Sequence, residues 1–285
     1  MTNLATVSSR FRAPVAAVQV DAPLMVAIHG GTYDATYFDV PGFSLLDRAA
    51  ANGVPIVALD RPGYGETALL ARADMTLARQ ARFLAGAVER LWRAHGQGRP
   101  GVVVVAHSIG AAIAAFMAAG PVGFPLLGLA ISGVGMRTPP EHKPMWEALP
   151  DLDLVDMPDE TKDHVMFGPE GSFDPAAPGA SHVANRSAPR CELVDIVSTW
   201  HDDARAVLGR ITVPVHYRQG EFDRLWIVDE GEVAAFAGAL TSSSHVDAQM
   251  LRGTGHCIDF HKLGAAFQLQ QLGFALQCGA QASPA

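Results

Sequence analysis

One serine of this sequence stands in a strand–turn–helix pattern that suits nucleophilic chemistry. Ser108 follows the run GVVVV that starts at Gly101, which predicts a buried strand, and precedes Ile109–Ala119, which predicts an apolar helix. A sharp turn between the two would strain the backbone of Ser108 and lift its hydroxyl clear of the sheet. The free N–H groups at the start of the helix would offer donors to a developing oxyanion. The alternative is an ordinary helix N-cap serine.

The pentapeptide AHSIG around Ser108 resembles the nucleophile turn of the α/β-hydrolase superfamily, which has the pattern G-x-S-x-G. The chain departs from this pattern at the first position, where Ala106 replaces glycine, and keeps Gly110 at the last. The resemblance implies that Ser108 is the nucleophile. It also implies that the backbone N–H of Ile109 is one donor of the oxyanion hole.

A glycine-rich loop after the first predicted core strand carries the same resemblance. Residues 29–31 have the sequence HGG, and the superfamily uses the loop at this place for its second oxyanion donor, which would here be the N–H of Gly31. Glycine suits this task because no side chain blocks a substrate oxygen from reaching the amide. An ordinary glycine-rich turn is the alternative. Tyr33 follows in the same loop and is predicted to border the substrate.

The resemblance implies two further catalytic residues in the last quarter of the chain. Asp223 follows a predicted strand within the sequence GEFD, where the superfamily carries its acid, and His256 lies in a glycine-flanked loop before the last helix. The order Ser, Asp, His along the chain agrees with the superfamily. The alternatives that stay open are Glu221, Asp229 and Glu230 for the acid and His261 for the base.

Together these residues would form a site for acyl transfer. His256 would take the proton of Ser108 while Asp223 orients the imidazole, and Ser108 would attack a carbonyl carbon. The N–H groups of Gly31 and Ile109 would bind the oxyanion, and water would then release the acyl group. This chemistry requires neither a metal nor an organic cofactor.

The order of the predicted elements indicates an α/β fold, with a mostly parallel central sheet and helices on both faces. Short apolar strands alternate with helices along residues 24–132 and again from residue 213 onward. The candidate site residues all fall at the carboxyl ends of strands, where such sheets bind ligands. The predicted strands are Val15–Val20, Leu24–Ile28, Val54–Leu59, Val102–Val105, Pro125–Ser132, Val213–Gln219 and Val246–Leu251. The predicted helices are Phe43–Asn52, Thr76–His95, Ile109–Ala119, Gly231–Leu240 and Ile258–Leu276.

Residues 135–209 interrupt this alternation and are too many for a connecting loop. The resemblance implies a mainly helical cap over the active site at 135–209, and a core domain formed by 1–134 and 210–285. A short linker in place of the cap should then leave a foldable core. Predicted cap helices are Met136–Leu149, Asp159–Phe167 and Cys191–Leu208. The predicted substrate-binding side chains are Tyr33, Trp146, Phe167 and Trp226, with His164, Met166 and Trp200 as further candidates.

The composition of the chain restricts its expected binding partners and its expected cellular location. The formal net charge is −8 and no cluster of Lys or Arg stands out, which argues against binding to nucleic acid or to a membrane surface. The widely spaced Cys191, Cys257 and Cys278 do not suit a disulfide framework or a zinc site. No leader-like segment or long apolar run is present, so the expected location is the cytoplasm. A homodimer stays open.

The expected activity is hydrolysis of a carboxylic ester or lactone of a moderately apolar small molecule. Apolar aromatic residues near the predicted site outnumber basic ones, which favours an apolar acyl substrate. A serine nucleophile argues against haloalkane dehalogenases and epoxide hydrolases, which use a carboxylate there. The alternatives that stay open are a thioesterase, a C–C bond hydrolase, a lyase, an acyltransferase and a small-molecule receptor that retains the triad.

Overall fold

The computed structural model describes residues 7–18 and 21–282, and a mostly parallel sheet lies at their centre. The strands are β1 (Ser9–Arg12), β2 (Leu24–Ile28), β3 (Ile56–Leu59), β4 (Val102–His107), β5 (Leu126–Ser132), β6 (Leu154–Val155), β7 (Ala188–Pro189), β8 (Val215–Gly220) and β9 (Val246–Leu251). Within the described residues the main sheet has the order β1-β3-β2-β4-β5-β8-β9. Its neighbouring strands are parallel except β1 and β3, which are antiparallel. The predicted α/β class is confirmed.

Helices cover both faces of this sheet. They are α1 (Leu45–Ala51), α2 (Leu77–His95), α3 (Ile109–Ala118), α4 (His142–Glu147), α5 (Asp159–Met166), α6 (Ala177–Ser181), α7 (Arg190–Val197), α8 (Thr199–Leu208), α9 (Glu230–Ala239) and α10 (Gly264–Ala282). Successive side chains of a strand point to opposite faces, so Val26 of β2 packs with α2 and α3, whereas Met25 packs with α1 and α10. None of the helices in the described ranges has both the length and the apolar character to cross a membrane.

Two differences from the predicted boundaries lie toward the two ends of the chain. Residues 15–18 of the predicted strand Val15–Val20 are not in a strand, residues 19 and 20 lie outside the described residues, and the first strand is β1. The predicted C-terminal helix is divided into a short 3-10 turn at Ile258–Phe260 and α10. Gly264 permits this break, because a β-carbon there would collide with the carbonyl of Asp259.

Between β5 and β8 the chain leaves the main sheet, as the sequence predicts for residues 135–209. This inserted segment contains helices α4 to α8 and the short antiparallel pair β6 and β7. The predicted helix Cys191–Leu208 is divided at Ser198, where ψ is −78° and the side-chain hydroxyl donates to the Val194 carbonyl at 2.6 Å. The predicted helix Met136–Leu149 is reduced to α4.

The inserted segment is bonded to the loop that follows β2. The carbonyl oxygen of Thr32 in that loop accepts the backbone N–H of Arg186 at 3.0 Å and the buried ammonium of Lys162 at 2.6 Å. The same ammonium lies 3.3 Å from the ring centroid of Tyr33, a cation–π contact. A linker in place of residues 135–209 would remove Lys162 and Arg186, and the carbonyl of Thr32 would lose both of these donors.

Lys162 yields a prediction about stability. Burial lowers the pKa of Lys162 to about 7, whereas an unfolded lysine has a pKa of about 10.4. Between these values the unfolded chain binds the additional proton, so this residue makes stability rise with pH. We expect the unfolding free energy of the wild type, minus that of Lys162→Met, to increase between about pH 7 and pH 10, by at most about 1.4 kcal/mol per unit. Urea unfolding at several pH values measures this difference, and a flat or falling curve would contradict the prediction.

Candidate active site

Ser108 forms the turn between β4 and α3 in a strained conformation. Its φ is 56° and its ψ is −128°, a region that residues with a side chain seldom adopt. Neighbouring glycines make this turn possible: a β-carbon at Gly110 would collide with the carbonyl oxygens of Ile28 and His29, and one at Gly30 would lie 2.8 Å from Cβ of Ser108. The loop after β2 and the start of α3 therefore touch at this turn.

The side chains of Ser108, His256 and Asp223 form a continuous hydrogen-bonded chain. Oγ of Ser108 lies 2.9 Å from Nε2 of His256 and makes no capping bond to α3, and Nδ1 of His256 lies 2.6 Å from Oδ2 of Asp223. The side-chain amide of Gln219 donates to the same carboxylate at 2.7 Å, and the N–H of Leu225 donates to it at 2.9 Å. This arrangement can pass the serine proton to the imidazole while the carboxylate orients the ring and stabilises its charged form.

The carboxylates that were alternatives to Asp223 have other partners. Glu221 accepts the N–H of Gly253 at 2.8 Å, and Asp229 caps α9. Glu230 lies in an exposed ion pair with an arginine, at 2.9 Å. In the part of the chain that the structure describes, none of these three has a hydrogen bond to His256.

His261 lies in the turn before α10, whereas the sequence pattern predicted a helix there. Its Nε2 accepts the backbone N–H groups of Gly168 at 3.0 Å and Gly255 at 2.9 Å, and its Nδ1 lies 2.8 Å from the carbonyl of Cys257. Burial lowers the pKa of His261, which agrees with this neutral tautomer. His261 therefore joins the inserted segment to the loop of His256, and it does not contact Ser108.

Gly31 and Ile109 lie beside Ser108 and line the same cavity. Among the residues that the structure describes, neither backbone N–H has an acceptor. Ile109 is the first residue of α3, so its N–H is one of the donors that a helix leaves unpaired. Two unpaired backbone donors in the same cavity as a serine hydroxyl are suited to bind the oxyanion of a tetrahedral intermediate.

His107 and Gln219 are polar residues of the site to which the sequence pattern assigned no role. The ring of His107 stacks on Tyr37, with centroids 5.0 Å apart, and its centroid lies 4.7 Å from that of His256. Burial lowers the pKa of His107 well below its ordinary value, and the neighbouring His256 lowers it further. The neutral ring of His107 therefore packs against the ring of His256. His107 is the last residue of β4 and Gln219 the last but one of β8, but nothing in the local pattern shows which way these side chains point.

A cavity of about 510 Å³ opens above Ser108, within the usual range for small-molecule sites. The core supplies one wall, which includes Trp226, and the inserted segment supplies the opposite wall, which includes Trp146 and Leu193. Apolar side chains predominate in the lining. Its polar members, apart from Ser108 and Thr32, are Thr138, His142, Asp156, Thr161, His164 and Arg224. Of the predicted substrate-binding residues, Trp146 and Trp226 line the cavity, as do the further candidates His164 and Met166.

Tyr33 and Phe167, which were predicted to contact the substrate, do not line this cavity. Tyr33 is buried beneath the ammonium of Lys162. Phe167 follows the end of α5 and packs on Phe173, Phe260 and His261 in the core. The further candidate Trp200 is also buried, and its indole N–H donates to a backbone carbonyl at 2.8 Å.

The cysteines of the chain are free thiols, and two of them are buried. Burial raises the pKa of Cys257 to about 12 and that of Cys278 to about 11, which leaves almost no reactive thiolate near neutral pH. Cys191 is half-buried and is placed on α7. Within residues 7–18 and 21–282, no group of three or more His, Cys, Asp or Glu side chains is arranged to hold a metal ion.

One curated relative is protein phosphatase methylesterase 1 of the mouse, Mus musculus. It is 32% identical to this chain over 114 residues, which are 40% of this chain and 28% of the mouse protein. The match thus spans less than a third of that relative.

Two solved structures of esterases share the fold over almost the whole chain. An esterase from Thermogutta terrifontis with malate bound has a TM-score of 0.66 at 17% identity, over 96% of this chain and 94% of that one. An esterase from Exiguobacterium antarcticum has a TM-score of 0.69 at 13% identity, over 95% of this chain and 96% of that one. The model of the alpha/beta hydrolase family matches residues 25–262, which include the Ser108 turn and the His256 loop. The chain belongs to the alpha/beta hydrolase family.

Proposed function

We propose that this hydrolase cleaves a carboxylic ester or lactone of a moderately apolar small molecule, with Ser108, His256 and Asp223 as its catalytic triad. The observation that carries this proposal is the unbroken chain of short hydrogen bonds between the three side chains, at the base of an apolar cavity. The esterases among the relatives and structural neighbours support the same class of reaction.

In the first half of the reaction, Oγ of Ser108 attacks the carbonyl carbon of the ester and its proton moves to Nε2 of His256. The carbonyl oxygen becomes an oxyanion, which accepts hydrogen bonds from the N–H groups of Gly31 and Ile109. Asp223 stabilises the imidazolium. The imidazolium then donates its proton to the alcohol oxygen, the C–O bond breaks, and an acyl-serine remains.

In the second half, water takes the place of the alcohol. His256 accepts a proton from the water, whose oxygen attacks the acyl carbon through the same oxyanion. The bond to Ser108 breaks, the proton returns to Oγ, and the free acid leaves. A thioester or an activated C–C bond can be cleaved by the same steps, so a panel of esters, thioesters and lactones decides which substrate is preferred.

In this proposal, residues 135–209 act as a cap that selects the substrate. The cavity wall opposite Ser108 comes from α4, α5 and α7, and this wall limits the access of water to the acyl group. Trp146 and Trp226 present large apolar faces to it. Such a site favours an aryl or medium-chain acyl group over a strongly charged one.

Replacement of the nucleophile tests the proposed function directly. We expect Ser108→Ala to lower kcat for a p-nitrophenyl ester by about 10⁴- to 10⁶-fold, because the oxyanion donors alone give little catalysis. The unfolding free energy should change by less than about 1 kcal/mol, since the hydroxyl has a single side-chain partner. A fluorophosphonate probe should label the wild type on the peptide that contains Ser108. Turnover by the variant within tenfold of the wild type would refute the serine hydrolase.

A pair of isosteric variants tests the triad acid. Asp223→Asn should lower kcat by about 10⁴-fold, because the amide favours the wrong tautomer of His256. Glu221→Gln, two positions away, changes a bond to a backbone N–H and an ion pair with the exposed Arg252, and should leave kcat within about threefold. Steady-state kinetics on the same ester compares the two. The reverse order of effects would place the acid at Glu221.

Two aromatic residues of the inserted segment form a matched pair for substrate selection. Trp146→Ala should raise KM for long-chain or aryl esters by about tenfold, equivalent to about 1.4 kcal/mol of lost apolar contact, and should spare acetate esters. Phe167→Ala, outside the cavity, should lower stability without changing the order of preference among acyl groups. An unchanged acyl-chain profile in Trp146→Ala would contradict the proposed position of the substrate.

A further inference from the structure

A fully buried ion pair joins the inserted segment to the neighbourhood of Gly31. Arg61 follows β3, and Glu192 lies on α7; neither side chain has any exposed surface. The contact is bidentate: Nη1 donates to Oε2 at 2.5 Å and Nη2 donates to Oε1 at 2.9 Å. Burial alone would lower the pKa of Arg61, but the carboxylate beside it raises that pKa above its ordinary value. The guanidinium therefore stays charged.

The same guanidinium holds the backbone of the loop after β2. Nε of Arg61 donates to the carbonyl of His29 at 2.8 Å, and Nη2 donates to the carbonyl of Gly30 at 2.9 Å. The Gly30 carbonyl and the Gly31 N–H belong to one peptide group. Because that group is planar and trans, its N–H points away from its carbonyl, and hence away from Arg61. This agrees with the position of Gly31 in the cavity wall and with its N–H having no acceptor among the described residues.

The hydrogen bond from Arg61 to the Gly30 carbonyl also affects how strongly the Gly31 N–H can donate. A hydrogen bond from a cation to a carbonyl polarises the peptide group, and a polarised peptide has a more positive N–H. The effect is large in a buried place, where water does not screen the charge.

Glu192 determines the direction of the guanidinium. Its carboxylate is held by the hydroxyl of Tyr64, which donates at 2.6 Å, and by the side-chain amide of Gln80, which donates at 3.1 Å. Tyr64 also accepts the N–H of Thr32 at 3.1 Å. Without the carboxylate, the buried charge of Arg61 would have no counterion. The guanidinium would also lose the two hydrogen bonds that fix its direction.

We propose that Glu192 is a positioning residue for the oxyanion-binding N–H of Gly31 and acts on it through Arg61. The inserted segment then contributes to the rate of the chemical step as well as to the selection of the substrate. This inference rests on the proposed function, because it requires an oxyanion at Gly31.

The variant Glu192→Gln tests this role, since it keeps the shape of the side chain and removes its charge. Loss of a whole oxyanion donor costs about 10²- to 10³-fold in kcat, so a misaligned and less polarised donor should cost about tenfold. KM for a short phenyl ester should stay within twofold. An aryl trifluoromethyl ketone, which adds to the serine and forms a stable oxyanion, should bind about tenfold more weakly. The matching methyl ketone, which forms no such adduct, should bind to the variant and to the wild type with the same affinity.

Two further variants separate positioning from folding. Asp247→Asn makes the same carboxylate-to-amide change in another bidentate pair, with Arg218 at 3.1 and 2.8 Å, and should leave kcat and both affinities unchanged. Tyr64→Phe removes the hydroxyl that donates to Glu192 and accepts the N–H of Thr32. It should lower kcat and trifluoromethyl ketone affinity together, by about threefold, whether or not Glu192→Gln folds.

The outcomes distinguish this inference from the function on which it rests. A folded Glu192→Gln with unchanged kcat and trifluoromethyl ketone affinity overturns the positioning role and leaves the triad in place. A rise in KM alone overturns it too, because Glu192 would then act only on substrate binding. A wild-type protein that neither hydrolyses esters nor binds the trifluoromethyl ketone overturns the proposed function and the inference with it.

Discussion

The contact between the loop after β2 and the turn at Ser108 constrains the rest of the site. Gly30 and Gly110 let two backbones approach so closely that a β-carbon on either side would collide. This approach places Gly31, Ser108 and Ile109 in the lining of one cavity, and it permits the positive φ of Ser108. A shift of either backbone would disturb the proposed nucleophile and both proposed oxyanion donors together.

The inserted segment is coupled to this contact by charged groups in the interior. Lys162 bonds the carbonyl of Thr32, and Glu192 bonds Arg61, which in turn bonds the carbonyl of Gly30. A buried ion pair contributes little net stability, because the cost of desolvation offsets the attraction. This ion pair instead fixes the orientation of Arg61, because a guanidinium that makes two hydrogen bonds to one carboxylate can point in only one direction. The part of the chain that lines the cavity is thus attached to the loop beside Ser108.

The ionisable groups around the triad are kept neutral by burial. Desolvation lowers the pKa values of His29, His107 and His261, and it raises the pKa of Cys257 to about 12. These groups add no competing charge beside His256. In the proposed reaction, the charged imidazole of His256 would therefore have a carboxylate beside it and no second cation among these neighbours.

The sequence by itself determined the fold class and the positions of the central strands along the chain, because strands buried on both faces must be apolar throughout and that pattern is local. It also indicated Ser108, Asp223 and His256, since each lies in a short motif directly after a predicted strand. Only the tertiary structure decided which side chains reach the cavity: Met166 lines it, whereas the next residue, Phe167, packs into the core. It alone paired Arg61 with Glu192, 131 positions further along the chain. In an irregular segment, the direction of a side chain depends on packing partners that are distant along the chain. The local sequence pattern does not identify these partners.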